Sequence, residues 1–135
     1  MAVVVVNVGG GSGGKQLISA AILAQNTLRY LQWGTGAGTA AVADTGLFST
    51  ASTTESRTAG TLSQVTGAQT NSKIRTVGTI TAAGARTITE VGIFDAAGSG
   101  SPPTGGNFFV HADHGSTVLA NGDSIQYTID IDFTP

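Results

Sequence analysis

The stretch SIQYTIDIDF, residues 124–133, decides what kind of fold the chain adopts. Its apolar residues, Ile125, Tyr127, Ile129, Ile131 and Phe133, alternate strictly with the polar residues Gln126, Thr128, Asp130 and Asp132. Successive side chains of a β-strand point to opposite faces of the sheet, so this strand has one apolar and one wet face. Antiparallel sheets with one face on a core give this pattern. The five apolar residues are therefore expected to form the core face of the last strand.

Similar runs precede this strand. KIRTVGTITA, RTITEVGIFDA and NFFVHADH each have the length of a strand and are bounded by Gly, Pro, Asn or Ser, and TLRYLQWGTG reads as a further strand that ends in a turn. Residues 37–67 are small and turn-rich, which predicts mostly surface loop with Leu47 and Phe48 as its bulky anchor. Short strands separated by turn signals are typical of β-sandwiches and barrels. We predict an all-β fold, an antiparallel β-sandwich of the jelly-roll or immunoglobulin-like kind.

The N-terminal region has a different character. It carries five valines, Val3, Val4, Val5, Val6 and Val8, without alternation. Such a run predicts a strand buried on both faces or an arm that pairs with a neighbouring molecule. Gly9–Gly14 has the composition of a flexible linker. We predict an arm and linker over residues 1–15 and a β-sandwich domain over residues 16–135. Within that domain one short helix is predicted at Gln16–Gln25, with Leu17, Ala20, Ala21 and Ala24 on one face.

The glycine-rich stretch also allows a nucleotide-binding interpretation, because Gly9 to Lys15 fits the spacing G-x-x-x-x-G-K. A working phosphate-binding loop continues with Ser or Thr, whose hydroxyl holds magnesium, and here Gln16 follows instead. The best partner strand, VGIFD ending at Asp95, lies in a run of successive strands, whereas these enzymes alternate strands and helices. The linker interpretation is favoured. No nucleophile elbow is found either, so no catalytic or cofactor-binding residue is assigned and the chain is predicted not to be an enzyme.

Three groups of side chains were weighed as binding sites. His111, Asp113 and His114 could hold a metal at an interface, but a strand would point His114 away from the other two. Asp130 and Asp132 are better explained by a solvated sheet face than by a calcium site. Trp33 is predicted to be a core aromatic residue in preference to a ligand platform. We therefore predict no metal site.

Composition excludes several classes of partner. Only 10% of residues are charged, the net charge is -2, and the six Lys and Arg are scattered, which argues against binding of nucleic acid. The longest nearly apolar run, Leu17–Ala24, is much shorter than the ~20 residues that span a bilayer, and the N-terminus lacks the pattern of a signal peptide. No membrane partner is expected. The low charge suits a chain that is largely covered by other subunits.

Several short motifs together resemble a family of proteins. YLQWGTGAGTAAVADTGLF, then TITEVGIFDA, then VLANGDSIQYTIDI are similar to small β-sandwich virion proteins of tailed bacteriophages. The shared elements are the turn Trp33–Gly36, the anchor Leu47-Phe48, the strand Glu90–Asp95 and the turn before Ile125, and they extend over roughly Tyr30 to Phe133. The N-terminal region departs from this pattern.

The resemblance implies a structural role in a virion. The expected function is that of a capsid decoration or cement protein, which is made in the host cytoplasm, binds the major capsid protein and self-associates, with a homotrimer as the expected state. A tail, neck or fibre-base component is the alternative within the same family. A carbohydrate- or host-surface-binding module, with Tyr30, Trp33 or the loop GSGSPPTGG as its contact surface, is the alternative outside it, and the low aromatic content of 6% counts against it.

Overall fold

The computed structural model describes residues 13–67 and 70–133, which form two antiparallel sheets and one helix. The helix α1 spans Gly14–Gln25, and the strands are β1 (Tyr30–Gly34), β2 (Thr58–Ala59), β3 (Thr61–Val65), β4 (Lys73–Thr81), β5 (Arg86–Phe94), β6 (Phe108–Leu119) and β7 (Ser124–Asp132). Sheet A has the order β2-β1-β5-β6, and sheet B has the order β3-β4-β7. The predicted all-β sandwich is confirmed. The predicted valine arm lies outside the described residues.

The core lies between the inner faces of the two sheets. Its largest member is Trp33, which is 1% exposed and packs with Leu31 and Ile93 of sheet A and with Ile80 of sheet B. Burying one such aliphatic side chain stabilises the fold by about 1.5–3 kcal/mol. The sheets approach closely where Gly78 of β4 faces Leu31, because a Cβ at Gly78 would overlap the Leu31 side chain. The interpretation of Trp33 as a core residue is confirmed.

The last strand has the faces that its alternation predicts. β7 pairs with β4 over nine residues, from Ser124 opposite Thr81 to Asp132 opposite Lys73. On its inner face Tyr127 is buried, and Ile125, Ile129 and Ile131 are half-buried against the core, with Phe133 half-buried just past the strand end. On its outer face Asp130 accepts two hydrogen bonds from Arg75. The prediction of a solvated face carrying the two aspartates is confirmed.

The helix is where it was predicted, but its buried face is not. α1 begins at Gly14, two residues before Gln16, and ends at Asn26, whose left-handed conformation (φ 54°) closes the last turn. Leu17 is 64% exposed, Ala21 and Ala24 are exposed and Ala20 is half-buried, so the predicted apolar face is wrong. The helix instead contacts β3 and β4 through Ser19, which is fully buried. Ser19 Oγ donates to the Asn71 carbonyl (2.6 Å) and accepts from Gln64 Nε2 (2.8 Å). A small hydroxyl suits this position because the neighbouring strand ends present polar groups. Burying those groups without a hydrogen-bond partner would destabilise the fold.

Residues 37–67 contain two strands that the sequence did not reveal. β2 and β3 have few large apolar residues, and only Leu62 of β3 is buried among them, so no alternation marked them as strands. Within the segment, residues 37–57 are irregular as predicted, and together with Thr35 and Gly36 they form loop 35–57. This loop crosses the outer face of sheet A and covers the candidate site.

Candidate functional site

The candidate site lies on the outer face of sheet A. The strand register aligns Gly34, Glu90 and Asp113 in one row and Gln32, Gly92 and His111 in the next row. These rows bring together the glycine-rich turn after Trp33, the carboxylate of β5 and a histidine of β6. Loop 35–57 covers them.

Glu90 is the centre of this arrangement. Its side chain is completely buried. Oε1 accepts hydrogen bonds from the backbone N–H groups of Gly36 and Ser49, each at 2.9 Å. Oε2 accepts from the backbone N–H of Phe48 (2.8 Å) and from His111 Nε2 (2.9 Å). Four donors surround one carboxylate, so Glu90 fastens both ends of the segment 36–49 to β5.

The donors also keep Glu90 ionised. Burial alone would raise the pKa of this carboxyl, but the N–H groups of Ser49 and Phe48, the His111 side chain and the N–H of Gly36 together hold its pKa below the usual value of 4.5. Gly34 and Gly36 provide the space: a Cβ at Gly36 would lie 2.7 Å from Glu90 Oε1, and one at Gly34 would overlap the same oxygen. The glycines of W-G-T-G and the glutamate of E-V-G-I-F-D therefore belong to one structural unit.

His111 joins this unit to the tip of the loop. Its ring lies between two carboxylates, with Nδ1 2.6 Å from Asp44 Oδ2 and Nε2 2.9 Å from Glu90 Oε2. Both distances are hydrogen-bond lengths, so the imidazole connects the two carboxylates. The N–H of Ala41 and then His111 lower the pKa of Asp44, which keeps that carboxylate ionised as well. Phe48 packs edge-on against the imidazole, with 4.6 Å between ring centroids.

The structure separates the residues considered for a metal. Asp113 Oδ1 accepts from the backbone N–H of Ala40 (2.7 Å) and so fixes a second point of the loop. His114 points to the other face, as predicted, and its Nε2 lies 3.3 Å from the hydroxyl of Tyr127. Within residues 13–67 and 70–133, no three His, Cys, Asp or Glu side chains are grouped so that they could hold one metal ion.

A second buried polar anchor lies further along the same face. Arg57 Nε donates to Gln32 Oε1 (2.7 Å), and its Nη1 donates to the carbonyls of Ala96 and Gly105. The guanidinium stacks 3.5 Å from the ring centroid of Phe94. Arg57 thus ties the end of loop 35–57 to the loop 95–107, which contains the sequence GSGSPPTGG.

An open cleft of about 470 Å³ lies beside the covered face. Six of its eight lining residues have apolar side chains, and the lining consists of Ala40, Ala41, Val42, Asp44, Phe108, Phe109, Val110 and His111. Val42 is fully exposed, and Phe109 is 44% exposed. The only carboxylate in this lining, Asp44, already accepts hydrogen bonds from Ala41 and His111.

The residues of the nucleotide-binding alternative have other surroundings. Lys15 lies in the first turn of α1, and Asp95 accepts hydrogen bonds from the backbone and side-chain nitrogens of Asn107. All described strand pairs are antiparallel, whereas a phosphate-binding loop of this type joins a parallel strand to its helix. Among the described residues no helix has the length and apolar character needed to cross a membrane.

Sequence reasoning missed the roles of Asp44 and Arg57 and the cleft. It identified Glu90 only as the first residue of the shared strand Glu90–Asp95. The available signal was the glycine content of W-G-T-G, because glycines leave room for a bulky neighbour and expose backbone N–H groups. Comparison of the chain with protein-family models, with curated proteins and with solved structures gives no match.

Proposed function

We propose that the chain is a structural protein of a tailed-phage virion, and more specifically a capsid decoration protein. In this role it binds the major capsid protein, self-associates as a trimer and stabilises the shell. The proposal starts from the sequence resemblance and is supported by how its motifs are used. Trp33–Gly36 and Glu90–Asp95 meet around the buried carboxylate of Glu90. In this arrangement the motif residues hold the domain together, as we expect for a family of structural proteins.

The observation that carries the proposal is the contrast between the buried polar groups and the cleft beside them. Glu90 and Arg57 form most of their hydrogen bonds with the backbone of loops 35–57 and 95–107. The adjoining surface carries the exposed apolar side chains Val42 and Phe109. In this proposal these side chains contact another macromolecule. A rigid sandwich that presents such a surface is suited to bridging subunits.

The mechanism of such a protein is burial of surface between subunits. A stable protein–protein contact buries roughly 1,200–2,000 Å² in total. In this proposal the cleft and the valine arm contribute to the contacts among copies of the chain, the arm by strand addition, in which backbone hydrogen bonds give affinity. Each copy would then resist separation of the shell subunits that it bridges.

The test is the number of copies of this chain per purified particle of the phage that encodes it, measured by quantitative mass spectrometry against the major capsid protein. Hundreds of copies, approaching the capsid lattice, are expected. A few dozen copies or fewer would place the chain in the tail, neck or fibres and overturn the decoration role. Absence from particles would overturn the virion role altogether.

A further inference from the structure

The cleft borders the free edge of a strand. Four consecutive residues of β6, from Phe108 to His111, line it. The register shift between Ile93 and Phe94 places a bulge in this part of β6, and the cleft follows the strand through it. β6 is the last strand of sheet A, and no strand within residues 13–67 and 70–133 pairs with its outer side. Its backbone N–H and C=O groups there can accept a further strand.

A strand added at this edge would have partly apolar surroundings. On the inner side, Val110 and Ala112 of β6 are only half-buried, as is Ile129 of the facing edge strand β7. On the outer side, Ala40–Val42 line the cleft, and the polar side chains of His111 and Asp113 already have hydrogen-bond partners within the domain. A segment that fits is therefore uncharged and mainly apolar.

One segment of this chain has that composition. Val3–Val8 is β-branched and uncharged, with Asn7 as its one polar residue. Phe108–Asp113, the part of β6 before the register shift that follows Asp113, also has six residues, with a further shift between Phe108 and Val110. We propose that Val3–Val8 of one copy adds to β6 of a second copy and fills its cleft. This rests on the proposed function in that it names the partner of the valine arm.

The position of α1 favours a second copy over the chain's own β6. The helix contacts β3 and β4, whereas β6 lies at the side of the sandwich where the turn 120–123 joins it to β7. From α1 to a strand beyond β6 the chain would cross two to three strand spacings, about 10–15 Å, around the body of the domain. Five Cα–Cα steps join Val8 to Gly13, the first described residue, and they extend to about 17 Å at most. The chain's own arm would reach this edge only with the linker almost fully extended, while the arm of a neighbour has no such restriction.

Mixed disulfide formation between two variants tests the contact directly. The chain has no cysteine, so each new disulfide is unambiguous. Purified full-length Phe109→Cys protein is mixed under mild oxidation with Val4→Cys or Val5→Cys protein, which sample the two faces of the arm. Thr128→Cys, on the exposed outer face of β7, replaces Phe109→Cys in the control. We expect at least one arm variant to give severalfold more mixed disulfide with Phe109→Cys than with Thr128→Cys, counted by peptide mass spectrometry.

Equal yields with the two acceptors would overturn the proposal. So would a disulfide that forms only when both cysteines lie in one chain, because the arm would then fold back on its own β6. The experiment uses the isolated chain, whereas copy number is measured on particles. An abundant virion protein without the cross-link would therefore refute the arm exchange alone.

The cleft wall gives an independent test by sedimentation velocity. Val42→Asp places a charge in the cleft at a fully exposed position, where it costs the folded domain little. Val118→Asp is the matched control. Val118 is 79% exposed and lies on β6, the strand that would receive the arm, but beyond the register shift that follows Asp113. We expect Val42→Asp, like deletion of residues 2–8, to dissociate the oligomer, and Val118→Asp to leave it intact. An oligomer that resists Val42→Asp, or a wild-type chain that sediments as a monomer, would contradict the proposal.

Discussion

The outer faces of the two sheets handle charge in opposite ways. On sheet A, Glu90 is fully buried beneath loop 35–57 and is held by three backbone N–H groups and a histidine. On sheet B, Asp130 bonds Arg75 in the solvent, with the side chains 30% and 40% exposed. Both carboxylates have a lowered pKa, the first through backbone N–H groups that outweigh its burial and the second through its hydrogen bonds with Arg75. A carboxylate therefore fixes the position of a loop on the outer face of sheet A, whereas on the outer face of sheet B it forms an exposed ion pair.

This comparison indicates where in the fold a charged side chain fixes the surrounding structure. A buried carboxylate cannot exchange its donors for water, so each of them is fixed in place. An exposed ion pair gains little, because water and salt compete for both partners. Variants at the two faces should accordingly differ greatly in effect.

The largest effect is expected for Glu90→Ala. It leaves the N–H groups of Gly36, Phe48 and Ser49 buried without an acceptor, and His111 without one of its two carboxylates. Leaving one buried donor without an acceptor costs about 1–3 kcal/mol of unfolding free energy, and Glu90→Ala does so for several donors at once. Urea denaturation followed by circular dichroism measures the loss. A loss no greater than that caused by Asp130→Ala would mean that loop 35–57 does not depend on this carboxylate.

The glycines beside Glu90 provide a second test of how tightly the buried carboxylate is packed. In Gly36→Ala, the new Cβ would lie 2.7 Å from Glu90 Oε1 and from Ser49 N. Overpacking of this kind costs about 1–3 kcal/mol. Gly46→Ala, in the same loop, is the matched control, because a Cβ there meets nothing within 4 Å. Thermal unfolding should show a lower Tm for the first variant and an unchanged or slightly higher Tm for the second, and equal Tm values would refute the steric explanation.

The sequence predicts much more of the sandwich than of this loop. β7 is evident from Ile125, Tyr127 and Ile129 because alternation is a local property of one strand. The contact between Glu90 and Gly36 joins residues that are 54 positions apart, and nothing in either segment alone identifies the other. The face of α1 was misjudged for a similar reason, since Ser19 is buried only because Gln64 and Asn71 lie opposite it.

Acid should weaken the wild type through Glu90. Because its folded pKa lies below the ordinary value of 4.5, Glu90 stabilises the fold above that pH and loses the contribution as pH falls through its folded pKa. Asp44, Asp95 and Asp130 also have lowered pKa values and lose their contributions at low pH as well, so the informative quantity is a difference between variants. In Glu90→Gln the unfolding free energy should fall less between pH 5 and pH 3 than in the wild type. Parallel curves would show that the Glu90 carboxylate is not stabilised by its donors.

The smallest effect is expected on sheet B. Asp130→Asn removes the charge that bonds Arg75 but keeps the shape of the side chain and its place opposite Arg75 in the register. Since solvent already screens an exposed pair, the unfolding free energy should change by an amount close to the error of measurement. The residual effect should also shrink as salt is raised, because the Debye length falls from about 10 Å at 0.1 M to about 3 Å at 1 M. A large loss that persists in high salt would mean that the outer face of sheet B is covered in the assembled protein, and the contrast between the two faces would then hold only for the isolated chain.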